Sequence, residues 1–459
     1  MLRPQAGSHL ACSVAAALSY NESKDFEGRR KGVWSRKHIR CCAMFKLLDI
    51  LLNRIVHRGS LTLIDAGGAT HRYGDGGPPR ITVRLADRRT ERQLVRDPEL
   101  ALGEAYMDGR LELIEGRIYE FLDLLLSNLQ SKPLPGWTKS FSAARYLLRR
   151  LMQFNPSWRA RRNVAHHYDI DGAIYDLFLD HDRQYSCGYF TEGADLEEAQ
   201  LAKKRHLAAK LAISPGQHVL DIGSGWGGLG LYLAKVAHCD VTGITLSREQ
   251  LKISRERAAK EGMSRSAHFE FMDYRHLEGR FDRIVSVGMF EHVGVNHYGT
   301  YFGKLRDLLD EDGVALIHTI GRSEPPAATN AFIAKYIFPG GYIPALSEMV
   351  AAIERSGLII ADLEVLRLHY AETLRAWRER FLANWDKAAA IRDERFCRMW
   401  EFYLAASETA FRYQNLVVFQ VQLVKRIKAL PITRDYMYKT EGGLIEHEGH
   451  ELRPRMAGE

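Results

Sequence analysis

The stretch best equipped for chemistry is His218–Gly228, HVLDIGSGWGG. Val219, Leu220 and Ile222 form a short apolar run that encloses Asp221, and four glycines crowd the six residues that follow. A buried parallel strand reads this way when it breaks into a tight turn and then a helix. Glycines at Gly223 and Gly225 let the backbone approach a ligand where a Cβ would collide. A helix starting at Gly228 turns its free N–H groups toward the same point. By itself the turn decides little. A purely structural strand-to-helix junction has this composition, and dinucleotide-binding and methyltransferase folds both use one.

The other residues with chemical potential point away from metals. His166, His167 and His181 cluster in sequence, but no Cys/His/Asp spacing completes a zinc-like set. Glu291–His292 lacks the second histidine of a metalloprotease motif. The six cysteines, Cys12, Cys41, Cys42, Cys187, Cys239 and Cys397, follow no disulfide or zinc spacing, as expected in a reducing cytoplasm.

The elements around the glycine turn narrow its meaning. A second strand, Val241–Thr245, precedes a helical run, Ser247–Glu261. A third strand, His268–Met272, ends in Asp273; a fourth, Phe281–Val287, ends in Gly288; a fifth, Val314–Ile320, ends in Gly321. Alternating strands and helices predict a doubly wound α/β domain with its ligand outside the carboxyl ends of the strands.

At 459 residues the chain has room for two or three domains. Hydrophobic content of 46% and charged content of 26% are those of a globular protein, and no apolar run approaches the roughly 20 residues needed to span a bilayer. The net charge of +7 is concentrated at residues 1–43, which hold eight Lys/Arg against three Asp/Glu. That segment reads as a disordered extension, with Met44 as the expected natural start. Residues 44–135 read as a small α+β domain. It has a helix from Phe45 to Val56, strands at Leu61–Asp65 and Ile81–Leu85, a helix from Leu100, and the apolar run Ile118–Leu129. Ser131–Trp137 (SKPLPGW) is a linker by composition. Residues 136–459 form the main domain. Near its start, Arg145, Arg149, Arg150, Arg159, Arg161 and Arg162 alternate with Leu147, Leu148, Leu151, Phe154 and Trp158. This stripe is either a solvated helix face or a contact for anionic lipid headgroups. No recognition motif accompanies the charge, so nucleic acid is not an expected partner.

Three motifs together identify a family: NVAHHYD at Asn163–Asp169, DRQYSCGYF at Asp182–Phe190, and LDIGSGWGG. Further matches are GITLSREQ (Gly243–Gln250), SVGMFEHVG (Ser286–Gly294), LIHTIG (Leu316–Gly321), IFPGG (Ile337–Gly341) and LHYAET (Leu368–Thr373). The chain resembles the cyclopropane-fatty-acyl-phospholipid synthases and mycolic acid cyclopropane synthases from about Met44 to the C-terminal helices. The resemblance implies a class I S-adenosylmethionine (SAM)-dependent methyltransferase domain, Rossmann-like. It assigns Tyr185, Ser186, Asp221, Gly223, Gly225, Gly227, Thr245, Leu246, Gln250, Asp273 and Tyr274 to the cofactor. Tyr168 is a weaker candidate for a cation–π contact with the sulfonium. The resemblance further implies a bound bicarbonate as base, held by Cys187, Glu291, His318, Tyr370 and the backbone of Ile320. Tyr370 and His318 can donate hydrogen bonds to an anion, and Glu291 can either orient His318 or receive the bicarbonate hydroxyl proton.

The expected reaction is methylene transfer from SAM to the cis double bond of an unsaturated phospholipid acyl chain. An isolated alkene is a feeble nucleophile, so it needs a dry, aligned slot. The aromatic-rich insertion Arg322–Leu346 and a mainly helical segment, Leu374–Ile427, are expected to wall that slot. Ser407 in YLAAS and Ser224 in the glycine turn replace cysteines found in some relatives, so no catalytic cysteine is expected at Ser407. The protein is expected in the cytoplasm, peripherally on the inner face of the membrane, with a homodimer through the N-terminal domain implied by resemblance. The competing readings are a lipid methyltransferase giving methyl-branched or methylene products, and a catalytically dead lipid-binding scaffold.

Overall fold

A computed structural model describes residues 36–129 and 172–451. The predicted Asn163–Asp169 motif, Tyr168, the Ser131–Trp137 linker and the Arg145–Arg162 stripe lie outside these residues.

In the N-terminal part, helix α1 (Arg36–Ile55) begins before Met44 and buries Leu48, Leu51, Leu52 and Ile55 at helical spacing. Strands β1 (Ser60–Ile64), β2 (Thr70–Gly74), β3 (Arg80–Leu85) and β4 (Leu111–Glu115) form a sheet in the order β2-β1-β3-β4. Alternation is plain in β1 and β3, where Leu61, Leu63, Ile81, Val83 and Leu85 face the core. Helices α2 (Arg88–Arg96), α3 (Pro98–Met107) and α4 (Ile118–Leu129) complete it. The buried Asn128 of α4 accepts the N–H groups of His57 and Arg58 and donates to the Arg58 carbonyl, fixing the exit of α1.

Next come α5 (Gly172–Asp176) and α6 (Leu196–Lys210), then a seven-stranded sheet. Its strands are β5 (His218–Ile222), β6 (Asp240–Thr245), β7 (Ala267–Phe271), β8 (Phe281–Val287), β9 (Leu309–Arg322), β10 (Ile359–Leu366) and β11 (Leu416–Val424). They lie in the order β10-β11-β9-β8-β5-β6-β7. Strands β9, β8, β5, β6 and β7 are mutually parallel, and β11 is antiparallel to both neighbours. From β5 the chain winds outward to β6 and β7, then returns to β8 on the other side. Their carboxyl ends leave the crevice in which open α/β sheets bind ligands. The intervening helices are α7 (Gly228–Lys235), α8 (Arg248–Lys260), α9 (Tyr298–Leu308) and α10 (Leu346–Ser356). After β10 come α11 (His369–Ala383), α12 (Trp385–Ile391) and α13 (Glu394–Tyr413), and α14 (Asp435–Glu451) follows β11.

The segment Leu374–Ile427 is not helical throughout, because β11 lies within it. This strand is buried on both faces between β9 and β10, and Gln420 and Gln422, the two polar positions in LVVFQVQLV, are buried with the rest.

The N-terminal helices α3 and α4 pack on α13. Tyr106 donates to the buried Glu401 carboxylate at 2.5 Å, and Tyr413 donates to Asp123 at 2.6 Å. Gly103 faces the Phe332 and Phe402 rings so closely that a Cβ there would lie 2.6 Å from Phe332 Cε2 and 2.8 Å from Phe402 Cε1. Gly103→Val should therefore destabilise the protein by about 1–3 kcal/mol through overpacking. A melting temperature equal to wild type would show that this contact yields freely.

Candidate active site

The glycine turn is held from both sides. The Gly223 and Ser224 N–H groups both donate to the Ile244 carbonyl at the end of β6, at 2.9 and 3.0 Å. Gly223 (φ 85°) and Gly225 (φ 56°) take left-handed backbone that L side chains rarely adopt. Two adjoining cavities meet at Gly223, Gly225, Gln250, Val287 and Gly288. Gly227 lines neither. It is the left-handed residue ahead of α7, and a Cβ there would lie 2.9 Å from Phe269 Cζ and Ser254 Cβ, so its glycine serves packing.

The first cavity runs over the ends of β6 and β7, where Thr245, Leu246, Gln250, Asp273 and Tyr274 line it. The buried Thr245 hydroxyl donates to Gln250 Oε1 (3.1 Å) and accepts the Ser247 N–H, and Ser247 caps α8. Asp273 accepts Arg275 through both oxygens, at 2.9 and 2.7 Å. Those bonds, working against burial, hold its carboxyl below the usual range. Burial pushes the Tyr274 phenol up to about 12. The insertion after β9 reaches this cavity as well, since Pro339 and Gly340 form part of its wall.

The second cavity is lined by Tyr185, Ser186, Lys203, Asp221 and Ser224 together with the glycine turn. Tyr185 stacks on Trp377 (centroids 5.1 Å apart) and shares a 2.9 Å hydroxyl contact with Tyr403. Burial raises the Asp221 carboxyl to about 7 and lowers the Lys203 ammonium to about 8. Buried Asp221 Oδ2 and Ser224 Oγ have no hydrogen-bond partner. The open space over Gly225, where a Cβ would meet nothing within 4 Å, and these unsatisfied atoms fit a polar small molecule such as SAM.

Glu291 and His318 come together at the neighbouring ends of β8 and β9. Glu291, 8% exposed in the short 3₁₀ turn Phe290–His292, accepts the Ile320 N–H through Oε1 at 2.7 Å. Its Oε2 is buried and unpartnered. Burial, offset by that N–H, raises its carboxyl to about 7. The Ile320 N–H, expected for the anion, is thus bonded to Glu291. His318 lies two residues earlier on β9, on the same sheet face. Gln420 of β11 donates to its Nδ1 at 3.2 Å, an assignment that leaves the proton on Nε2, which is buried and unpartnered. Burial lowers His318 to about 3, so the ring is neutral.

Cys187 is 1% exposed; its thiol donates to the Gly188 carbonyl at 3.3 Å, and burial pushes its pKa up, away from a thiolate. The next N–H, Gly188, donates to Thr373 Oγ1, which is one helical turn along α11 from Tyr370. Tyr370 packs edge-on against Trp377 and beside Phe411. Glu291 is thus joined to β9 two residues past His318, and Cys187 and Tyr370 lie on the two segments that the Gly188–Thr373 bond ties together. Among the described residues no group of three His, Cys, Asp or Glu side chains is placed to hold a metal.

Sequence reasoning missed Lys203, His292, Pro339 and Gly340. Lys203 had a signal, since it falls on the helical stripe Leu196, Gln200, Lys203, Leu207, Lys210, all buried.

Two family models match the chain: mycolic acid cyclopropane synthetase at residues 156–421, and a domain of unknown function at residues 57–132. A cyclopropane-fatty-acyl-phospholipid synthase of Escherichia coli is 38% identical over 345 residues, 75% of this chain and 88% of the relative. A probable fatty acid methyltransferase of Pseudomonas putida is 37% identical over 80% of this chain and 93% of its own length. A tuberculostearic acid methyltransferase of Mycobacterium tuberculosis is 34% identical over 82% and 90%. Among solved structures, the cyclopropane synthase MmaA2 of M. tuberculosis is 31% identical with a TM-score of 0.55, covering 59% of this chain and 99% of its own. The mycolic acid cyclopropane synthase CmaA1, complexed with S-adenosylhomocysteine (SAH), aligns with the same figures. With the β7-β6-β5-β8-β9 parallel core and the cavity over its glycine turn, these matches make the protein a class I SAM-dependent methyltransferase, and the chain belongs to the mycolic acid cyclopropane synthetase family.

Proposed function

We propose that the enzyme is a cyclopropane-fatty-acyl-phospholipid synthase, transferring a methylene from SAM to the cis double bond of an unsaturated phospholipid acyl chain and releasing SAH. One observation carries this reading: Glu291 Oε2 and His318 Nε2 are buried without partners at the strand ends beside the cofactor cavity.

Bound SAM supplies an electrophilic methyl. As its S–CH₃ bond breaks, the alkene π pair forms the new C–C bond and leaves a cation on the adjacent carbon. Loss of a proton from the added methyl then gives the electron pair that closes the ring. The chain must exclude water from that cation. The surrounding aromatic wall, with Trp377, Trp400, Phe381 and Phe332 fully buried, suits that task. Glu291 as acceptor and His318 Nε2–H as donor fit a bicarbonate, which supplies the proton acceptor when bound. Cys187 and Tyr370 complete the proposed set, and the Ile320 N–H holds Glu291 in place. A cytoplasmic protein peripheral to the inner membrane face, and a possible homodimer, accompany this reading. Among the described residues no helix is long and apolar enough to cross a membrane.

The tuberculostearic acid methyltransferase relative supports a second reading, a methyl-branched product formed after the same first step. Incubation with SAM and vesicles of cis-unsaturated phospholipid, followed by mass spectrometry with double-bond derivatisation, separates the two. A gain of about 14 mass units with loss of the alkene is expected. The same gain with an alkene retained would establish the second reading, and no product despite SAM binding would overturn both.

A further inference from the structure

Strand β11 carries two polar side chains on one face, and the fold treats them differently. Gln420 and Gln422 are 0% and 1% exposed, on a strand whose Val418, Phe419, Val421 and Leu423 are buried and apolar. Gln422 is satisfied by the scaffold: its Nε2 donates to the Lys210 carbonyl of α6 and, at 2.7 Å, to the Tyr436 hydroxyl of α14. That amide ties three elements together. Among the described residues the Gln420 side chain has no such scaffold partner. It stands directly opposite His318 in the antiparallel register of β11 and β9, and its Nε2 donates to His318 Nδ1 at 3.2 Å. Its Oε1 is buried and unpartnered. A half-satisfied amide weakens a strand interior, and an apolar side chain of similar size would serve packing better. What the amide does supply is a donor to one chosen nitrogen of His318. Burial, joined by the charges of Lys203, Lys210 and His206 and opposed by Glu364, keeps that ring neutral. A neutral ring holds a single N–H, so the nitrogen that carries it matters.

We propose that Gln420 is a positioning residue for the transfer chemistry: its amide N–H, bound to Nδ1, fixes His318 as the Nε2–H tautomer, the donor form that an anion requires. This deepens the reading of Glu291 and His318 as an anion site and rests on it. The opposite tautomer, protonated at Nδ1, would present a lone pair at Nε2 in place of a donor. Cross-strand pairing also restrains the ring, since residues directly opposite on neighbouring strands keep their side chains in reach of each other. Gln420 therefore acts through His318 and touches none of the reacting atoms.

Ring-nitrogen NMR of isotopically labelled histidine, with the His318 signal identified by its loss in His318→Gln, tests this directly. Wild type should show a neutral ring protonated at Nε2, and a proton on Nδ1 would overturn the proposal without any Gln420 variant. On vesicles of cis-unsaturated phospholipid, Gln420→Met should lower kcat about 10–100-fold with KM for SAM within about twofold of wild type. Its melting temperature should be no lower than that of wild type. Gln422→Met is the contrast: it should melt lower and, where folded, keep wild-type kcat. In a His318→Gln background, Gln420→Met should reduce kcat no further, because its effect passes through the ring. An undiminished loss in that background, wild-type kcat in Gln420→Met, or an equal loss of kcat in Gln422→Met would overturn the positioning role. Wild-type turnover in His318→Gln would instead overturn the anion-site reading itself.

Discussion

Glu291→Gln should slow turnover by about 10²–10⁴-fold and leave SAH affinity within about twofold of wild type. The substitution keeps the size of the side chain and an oxygen for the Ile320 N–H, so it removes charge and little else. Its Oε2 is buried and unpartnered, and burial raises its pKa to about 7. If the ionised form must accept a proton-bearing oxygen of the bound anion, turnover in wild type rises with pH through about 7, and the variant loses that limb. His318, neutral above about 3, contributes no competing limb in this range. Stability runs the other way. A carboxyl raised from 4.5 to about 7 on folding stabilises the protein fully below the unfolded value, and that contribution is lost as pH rises through about 7. At pH 8 the variant should therefore melt no lower than wild type. Wild-type turnover in Glu291→Gln would remove this residue from the chemistry.

The parallel core was legible because the strands from β5 to β8 are short segments with apolar positions closed by turn residues, and the strand-to-helix alternation admits few topologies. β11 was not, because it follows a helix, α13, whose aromatics recur at helical spacing, and that period extends into the strand's own apolar residues. At the site, the glycine turn alone left a structural junction open, and the strands and helices around it pointed to a ligand. The Glu291–Ile320–His318 group did not, since its members are 29 and 2 residues apart and meet only through the pairing of β8 with β9. Resemblance supplied those positions; the geometry adds that the Ile320 N–H is bonded to Glu291. Lys203 was overlooked because one of two adjacent lysines on a charged helix reads as solvated, and its burial depends on α6 packing against the Tyr185–Ser186 loop.

Gly223→Val should weaken SAH binding by at least about 100-fold while costing about 1–2 kcal/mol of stability for the left-handed backbone. Gly223 is one of the residues shared by the two cavities, so a side chain there intrudes on both. Its Cβ would also stand 3.0 Å from Met289 Cβ, a contact the neighbour can relieve only by shifting. Gly227→Val is the necessary contrast. It has nearly the same φ, 84° against 85°, yet its Cβ would point at Phe269 and Ser254 rather than into a cavity. That variant should lose stability at least as much as Gly223→Val and, where folded, bind SAH far better. If the two variants lost affinity equally, backbone strain in the turn rather than occupied space would govern binding, and the glycine turn would be a scaffold held at a distance from its ligand.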